Sequence, residues 1–190
     1  MNREAVTGLV LAAGFSSRMG RFKAALPLKG KPLLHHPVET LLAICDRVLV
    51  VTGYMRGKVE ELMRPFPTVE LVHNPDFETG MFSSVKIGTA AVQTPRFLLT
   101  PGDIPFFTQE TCKALLSHRG NVISPVFNGK KGHPVLLDRA VRKAILAAPA
   151  DEILRNILHR FETVPINTDD EGILLDIDTE TTYNRVKENE

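Results

Sequence analysis

The chain has no tryptophan, only two cysteines and two tyrosines, and no excess of either charge, with 23 Lys+Arg against 22 Asp+Glu over 190 residues. Each shortage excludes something. Cys45 and Cys112 lie far apart in helix-like segments, so a disulfide framework is not expected and a reducing compartment with buried free thiols is. A net charge of +1 lacks the basic excess of a phosphate-gripping nucleic-acid binder, and Tyr54 and Tyr183 beside ten Phe offer few polar stacking rings. No apolar run approaches the roughly 20 residues that a membrane span requires. The N-terminal run Gly8 to Ala13 stops at a glycine turn and is too short for a signal h-region. A cytoplasmic protein with neither membrane nor nucleic acid as partner is the expectation. Several chemical signatures are also missing. There is no HExxH or other ligand spacing among His35, His36, His73, His118 and His159, no GxSxG elbow, no GK[ST] and no GxGxxG. Zinc, a hydrolase triad, a Walker A loop and a dinucleotide fingerprint therefore have no anchor.

What is present reads as one globular domain over residues 1–190: 43% hydrophobic and 24% charged residues, at a length that can bury roughly 70% of its unfolded surface in one core. Short Val/Ile/Leu runs alternate with segments of helical period, the pattern of a parallel sheet with crossover helices. Strands are expected at 6–12, 47–52, 69–72 and 97–100, and helices at 33–44, 57–63 and 81–92. The second half is less regular. Strands at 121–126 and 133–137 flank a turn at 128–132 and predict a hairpin added to the sheet; helices at 139–147 and 151–161, a strand at 174–177 and a helix from Thr179 complete the reading. In such a sheet, ligands bind at the carboxyl ends of the strands.

The strongest local signal is LAAGFSSRMGRFK, Leu11 to Lys23, directly after the first strand. Gly14 and Gly20 let backbone N–H groups point inward, and Ser16, Ser17, Arg18 and Lys23 add donors and positive charge, as a polyphosphate cradle needs. An ordinary glycine turn with solvated cations is the competing interpretation. The second signal is LLTPGDIP, in which an apolar strand delivers Asp103 onto a stiff Gly/Pro turn, a position suited to holding Mg²⁺ against phosphate oxygens. In LLDIDTE, Asp176 and Asp178 are two apart and fall on one face of the expected strand, so acids at two strand ends can share one ion; capping of the last helix is the alternative for Asp178. GMFSSV, Gly80 to Val85, opens a helix whose free N–H groups and Ser84 suit a nucleobase edge, with simple capping as the plainer account. His133 follows the basic pair Lys130 and Lys131 and suits an acceptor contact, although a lone histidine is more often structural.

Taken in order, LAAGFSSRMG with Lys23 and Leu26 to Pro27, NPDFETGMFSSV, PGDIP, GHPVLL and DIDTETTY make a series that resembles the MobA-like nucleotidyltransferases, most closely the molybdenum cofactor cytidylyltransferases, over essentially the whole chain. The resemblance implies an α/β, Rossmann-like three-layer nucleotidyltransferase fold, mostly parallel with an added antiparallel hairpin. It implies transfer of CMP from CTP to the molybdopterin form of the molybdenum cofactor, releasing pyrophosphate, with Mg²⁺ as cofactor and a molybdoenzyme or its maturation chaperone as the later partner. Residue by residue, it implies nucleotide contacts from Leu11, Ala12, Ala13, Gly14, Ser16, Arg18, Lys23, Gly80 and Ser84, catalytic roles for Arg18, Lys23 and Asp103, and metal ligation by Asp103 and Asp178. Ala13, in the two-alanine form LAAG, resembles the cytidylyl rather than the guanylyl branch, which usually reads LAGG. The acceptor set is His133, Asp151 and Arg155. Here the chain departs from the family's GDxGAR stretch, reading Ala150 to Arg155 with both glycines replaced, which points to a changed pterin pocket or a different acceptor. Two rivals share parts of this reading: a transferase of the same fold using GTP or another phosphorylated acceptor, and a noncatalytic nucleotide-binding module.

Overall fold

The computed structural model describes residues 4–15 and 19–188. The sheet is built on β1 (Val6–Ala12), flanked by β4 (Arg47–Thr52) and β6 (Arg96–Pro101), both parallel to it, with β5 (Val69–His73) parallel beyond β4. On the far side of β6 lie β9 (Val135–Asp138), then β7 (Val122–Phe127), then the edge strand β10 (Thr163–Asn167). β9 is antiparallel to both β6 and β7, whereas β10 is parallel to β7. The hairpin expected from sequence thus exists, with β9 lodged inside the sheet. The two-residue strand β8 (Lys130–Lys131) pairs with β7, and a separate pair, β2 (Pro27–Leu28) and β3 (Lys31–Pro32), follows the first loop.

Alternation along buried strands divides the core into two layers. Val48 and Val50 of β4 face one way, with Val6, Val10 and Leu98, toward α1 (His35–Leu42), α2 (Arg56–Met63) and α4 (Gln109–Leu116). Leu49 and Val51 face the other, with Leu9, Phe97 and Leu99, toward α3 (Met81–Ala91), α5 (Arg139–Ala147) and α6 (Leu154–Leu158). Strands covered on both faces read as continuous apolar runs, which explains why RVLVVT and VTGLVLA are recognisable from sequence. The result is the expected three-layer, Rossmann-like arrangement.

The differences from expectation lie in the second half. No strand forms at 174–177. A 3₁₀ turn, Glu171–Leu174, leads into residues that pack across the carboxyl edge of the sheet: His133 N–H donates to the Ile173 carbonyl (3.0 Å) and Ile177 N–H to the Asp103 carbonyl (2.9 Å). The helix expected at 151–161 contracts to α6. β10 and α4 were not anticipated. β10 contains Pro165, which lacks the N–H needed by a central strand and suits an edge. α4 buries only Thr111, Cys112 and Leu115, too thin an apolar stripe to read as a helix, but Thr108 caps it by accepting from the Thr111 N–H at 3.2 Å.

The C-terminal strap is tied to α4 by Asp170. Its Oδ2 accepts from the Thr108 N–H (2.8 Å), the Thr108 hydroxyl (2.9 Å) and the Thr111 hydroxyl (2.6 Å), while Oδ1 accepts from the Gly172 N–H (3.0 Å). Gly172 then passes so close to the chain that a Cβ there would lie 2.2 Å from the Phe106 carbonyl oxygen, so only glycine fits. Tyr183 of the last helix, α7 (Glu180–Glu188), donates to the Pro27 carbonyl at 2.6 Å, tying the chain's end to its beginning. Asp170→Ala strips four donors of one charged acceptor. Chemical denaturation is expected to show a loss on the order of 1.5–3 kcal/mol, the usual worth of hydrogen bonds to an ionised group, and a change below 0.5 kcal/mol would show that the strap is held elsewhere.

Candidate active site

The chain runs β1, β4, β5 to one side and then returns to place β6 on the other side of β1, so the topological switch point lies between β1 and β6. A cavity of about 420 Å³ opens at the carboxyl ends of these two strands, where an open α/β sheet places its ligands. β1 supplies Leu11 and Ala12, and the turn after it Ala13 and Gly14. This turn is fixed by bonds on both sides: the Gly102 N–H donates to the Leu11 carbonyl (2.9 Å) and the Tyr54 N–H to the Ala13 carbonyl (3.1 Å). Lys23 begins a 3₁₀ turn, Lys23–Ala25, held because the Leu34 N–H donates to the Ala24 carbonyl at 3.1 Å. Gly80 precedes α3 with φ 115°, a conformation open to glycine, and Ser84 lies one turn into the helix. Asp103 follows β6 through Pro101 and Gly102, and Asp178 comes from the strap.

All nine of these residues, Leu11, Ala12, Ala13, Gly14, Lys23, Gly80, Ser84, Asp103 and Asp178, line the one cavity. Ser16 and Arg18 lie outside the described residues. His133 does not line the cavity but stands near it, with Nδ1 3.5 Å from the Leu99 carbonyl oxygen and within the field of Asp103. Burial pushes its pKa below the usual imidazole value, against the opposing pull of Leu99 and Asp103. Asp151 and Arg155 are exposed at the approach to and on α6, which packs on α5, and neither lines the cavity.

The electrostatic centre is Lys23. Its Nζ donates to Asp103 Oδ2 and to Asp178 Oδ1, each at 2.7 Å, with the three side chains only 13%, 26% and 23% exposed. This shielding gives the contacts more weight than surface ion pairs carry. An oxygen each from Asp103, Asp176 and Asp178 lie within 4.8 Å of one another. An oxygen-only donor set suits a hard divalent cation such as Mg²⁺ or Mn²⁺, and the lysine ammonium between two of the acids shows that the site takes positive charge. At the start of α7 the Thr179 hydroxyl accepts from the Thr182 N–H at 3.2 Å.

The sequence reading did not pick out the cavity's aromatic wall. Phe15 and Phe77 line the cavity with ring centroids 5.2 Å apart, Tyr54 packs on Phe15 from outside the lining at 5.3 Å, and Phe15 remains 46% exposed beside Met81. These residues come from three separate loops and share no period. Nor was Asn74 singled out, a buried amide just after β5 whose Nδ2 donates to the Ser83 and Ser84 hydroxyls at 2.8 and 2.9 Å. Its position between a strand end and Pro75 was the only available signal.

If the ammonium stands where a cation is held, removing it should strengthen cation binding to the bare protein. Lys23→Met is expected to bind Mn²⁺ roughly tenfold more tightly than the unmodified protein in calorimetric titration without nucleotide, since two nearby acids lose their compensating charge. Equal or weaker binding would place the cation elsewhere.

Comparisons with known proteins show the family and the fold. The profile of the MobA-like NTP transferase domain matches residues 8–164. Molybdenum cofactor cytidylyltransferase of Escherichia coli K12 is 32% identical over 185 residues, covering 97% of this chain and 96% of that protein. Nicotine blue oxidoreductase of Paenarthrobacter nicotinovorans is 34% identical over 154 residues, 74% of each chain. A probable molybdenum cofactor guanylyltransferase of Bacillus cereus (strain AH187) is 26% identical over 129 residues, 65% of this chain and 63% of that one. Among solved structures, Rv0371c of Mycobacterium tuberculosis H37Rv in complex with manganese has the same fold, with a TM-score of 0.80 at 22% identity and coverage of 98% and 100%. With its glycine turn, lysine and paired acids gathered at the switch point and the family profile spanning most of its length, the chain belongs to the MobA-like NTP transferases.

Proposed function

We propose that the protein transfers CMP from CTP to the terminal phosphate of molybdopterin-bound molybdenum cofactor, giving the cytosine dinucleotide form and pyrophosphate. The observation that carries this reading is the Lys23, Asp103 and Asp178 constellation at one end of a cavity whose other walls are the LAAG turn and the start of α3. Nucleotidyl transfer asks mainly for alignment and charge neutralisation, with little covalent help from the protein. A terminal phosphate oxygen of the acceptor attacks the α-phosphorus in line, the bond from that phosphorus to the oxygen bridging the α- and β-phosphates breaks, and the electron pair leaves with pyrophosphate. No general base is needed, because the attacking phosphate is already anionic near neutral pH.

Asp103 and Asp178, with Asp176 beside them, would hold a divalent cation. Bound there, Mg²⁺ supplies Lewis-acid neutralisation of triphosphate charge. Lys23 and Arg18 bring the positive charge that steadies the phosphates, and the N–H groups at Ala13 and Gly14 add fixed donors. Gly80 and Ser84 sit against the base. The choice of CTP is supported by Ala13, which lines the cavity and is 4% exposed; its methyl group takes space that a glycine would leave to a larger purine. Similarity to the Escherichia coli cytidylyltransferase across nearly the full length of both chains favours the same base. His133, within the field of Asp103, would contact the acceptor. Asp151 and Arg155 would contact the acceptor beyond the cavity, at the exposed approach to α6, where both family glycines are replaced.

The test is a magnesium-dependent binding panel of CTP, GTP, ATP and UTP, followed by pyrophosphate release on adding molybdenum-loaded molybdopterin. Selective CTP binding with release is the expected result; preference for GTP would transfer the protein to the guanylyl reaction, and CTP binding without release would point to a different acceptor. Asp103→Ala is expected to lower turnover by at least a hundredfold while the domain stays folded by circular dichroism, and retained turnover would remove Asp103 from the chemistry.

A further inference from the structure

We infer that Asn74, a residue 2% exposed and outside the cavity wall, decides base selectivity by fixing the hydrogen-bond polarity of Ser84. The inference rests on the cytidylyl reading, which it deepens. The Asn74 Oδ1 accepts from the Asp76 backbone N–H at 3.0 Å. A backbone N–H can only donate, so the amide has one orientation and its Nδ2 must be the donor on the other side. Nδ2 spends its two hydrogens on the Ser83 and Ser84 hydroxyls, at 2.8 and 2.9 Å. The amide is held in place from below, since the Asn74 backbone N–H donates to the Thr52 carbonyl of β4 at 2.8 Å.

The two serines then diverge. Ser83 Oγ passes its own hydrogen back to the Gly80 carbonyl at 2.8 Å, with the Asp76 carbonyl at 3.1 Å. Ser84 Oγ accepts from Asn74, and among the described residues no group accepts its hydrogen. Ser84 is 4% exposed and lines the cavity. With one lone pair taken by a fixed amide and its hydrogen unclaimed among the described residues, the hydroxyl offers its O–H to whatever enters, and a buried donor left unmatched costs free energy. Ser84 therefore favours a base edge rich in acceptors. Cytosine presents two adjacent acceptors, O2 and N3, whereas guanine presents the N1–H and N2–H₂ donors with O6 as the one acceptor of that edge. Asn74 acts through Ser84 and is a positioning residue; Ser84 would touch the base.

The experiment measures affinities of CTP, GTP and inorganic tripolyphosphate, each with Mg²⁺, for the unmodified protein, Ser84→Ala and Asn74→Asp. Ser84→Ala removes the donor. Asn74→Asp replaces the amide donor with a carboxylate that draws the Ser84 hydrogen away from the cavity. In both variants the preference for CTP over GTP is expected to fall at least fivefold while tripolyphosphate affinity stays within twofold, a combination that a loosened fold would not give. A preference unchanged in either variant would overturn the inference and leave the cytidylyl reading standing, and so would loss of tripolyphosphate affinity in parallel with CTP in Ser84→Ala. Should Asn74→Asp fail to fold, Asn74→Ala, which frees the Ser84 hydroxyl to turn either way, is expected to lower the preference in the same manner, and an unchanged preference there overturns the inference. An unmodified protein that prefers GTP would overturn both.

Discussion

The site depends on an electrostatic constraint: carboxylates brought within a few ångströms of one another require positive charge between them. Asp103 leaves a buried central strand and Asp178 arrives on a strap more than seventy residues later, and Lys23 joins them with two contacts of 2.7 Å. No one of the three is sequence-local to another, so the constellation exists only when the sheet, the first loop and the C-terminal strap are all in place. This makes the charge centre a product of the whole fold. It also puts an internal cation at the cavity, where the proposed reaction would bring the charge of a triphosphate and of a departing pyrophosphate.

The strap that carries Asp176 and Asp178 buries Ile173 and Ile177 in the core and is held as well by a set of polar contacts. Asp170 gathers the capping threonine of α4, a second hydroxyl and the N–H of Gly172, and the chain then crosses the sheet edge bonded through backbone to His133 and Asp103. Each bond is modest by itself, but together they set the register of Asp178 against Asp103. Polar anchoring also explains the lack of a strand here: the segment's backbone groups are used by loops at the carboxyl edge, and the edge of the sheet is completed by β10 instead.

At the other end of the cavity the same logic works on a neutral group. Ser84 sits in the first turn of α3, where a serine commonly serves the helix itself. The buried amide of Asn74 diverts it, because its orientation is fixed by a backbone donor and leaves Ser84 with a hydrogen to give. The charged end and the polar end thus each depend on a side chain, Lys23 or Asn74, that is far in sequence from what it orients or nearly hidden from solvent.

The sequence by itself determined the parts of the protein whose cause is local. β1, β4 and α5 fall on the residues expected, since a doubly covered strand is a continuous apolar run and an amphipathic helix with Asp138 ahead of it carries its own period and cap. The LAAG turn, Lys23 and Asp103 were legible because glycine, charge and a strand end coincide there, and the order of five motifs identified the family. Only the tertiary structure decided the rest. β10 was hidden by Pro165 and α4 by a sparse apolar stripe, while the strand expected at 174–177 gave way to long-range hydrogen bonds that no window of residues contains. Asn74 and the wall of Phe15 and Phe77 carry no periodic signal, because their roles come from partners on other elements. Periodicity reports on what a segment buries against its own neighbours, while a site is made from the ends of segments, and those meet only when the chain has folded.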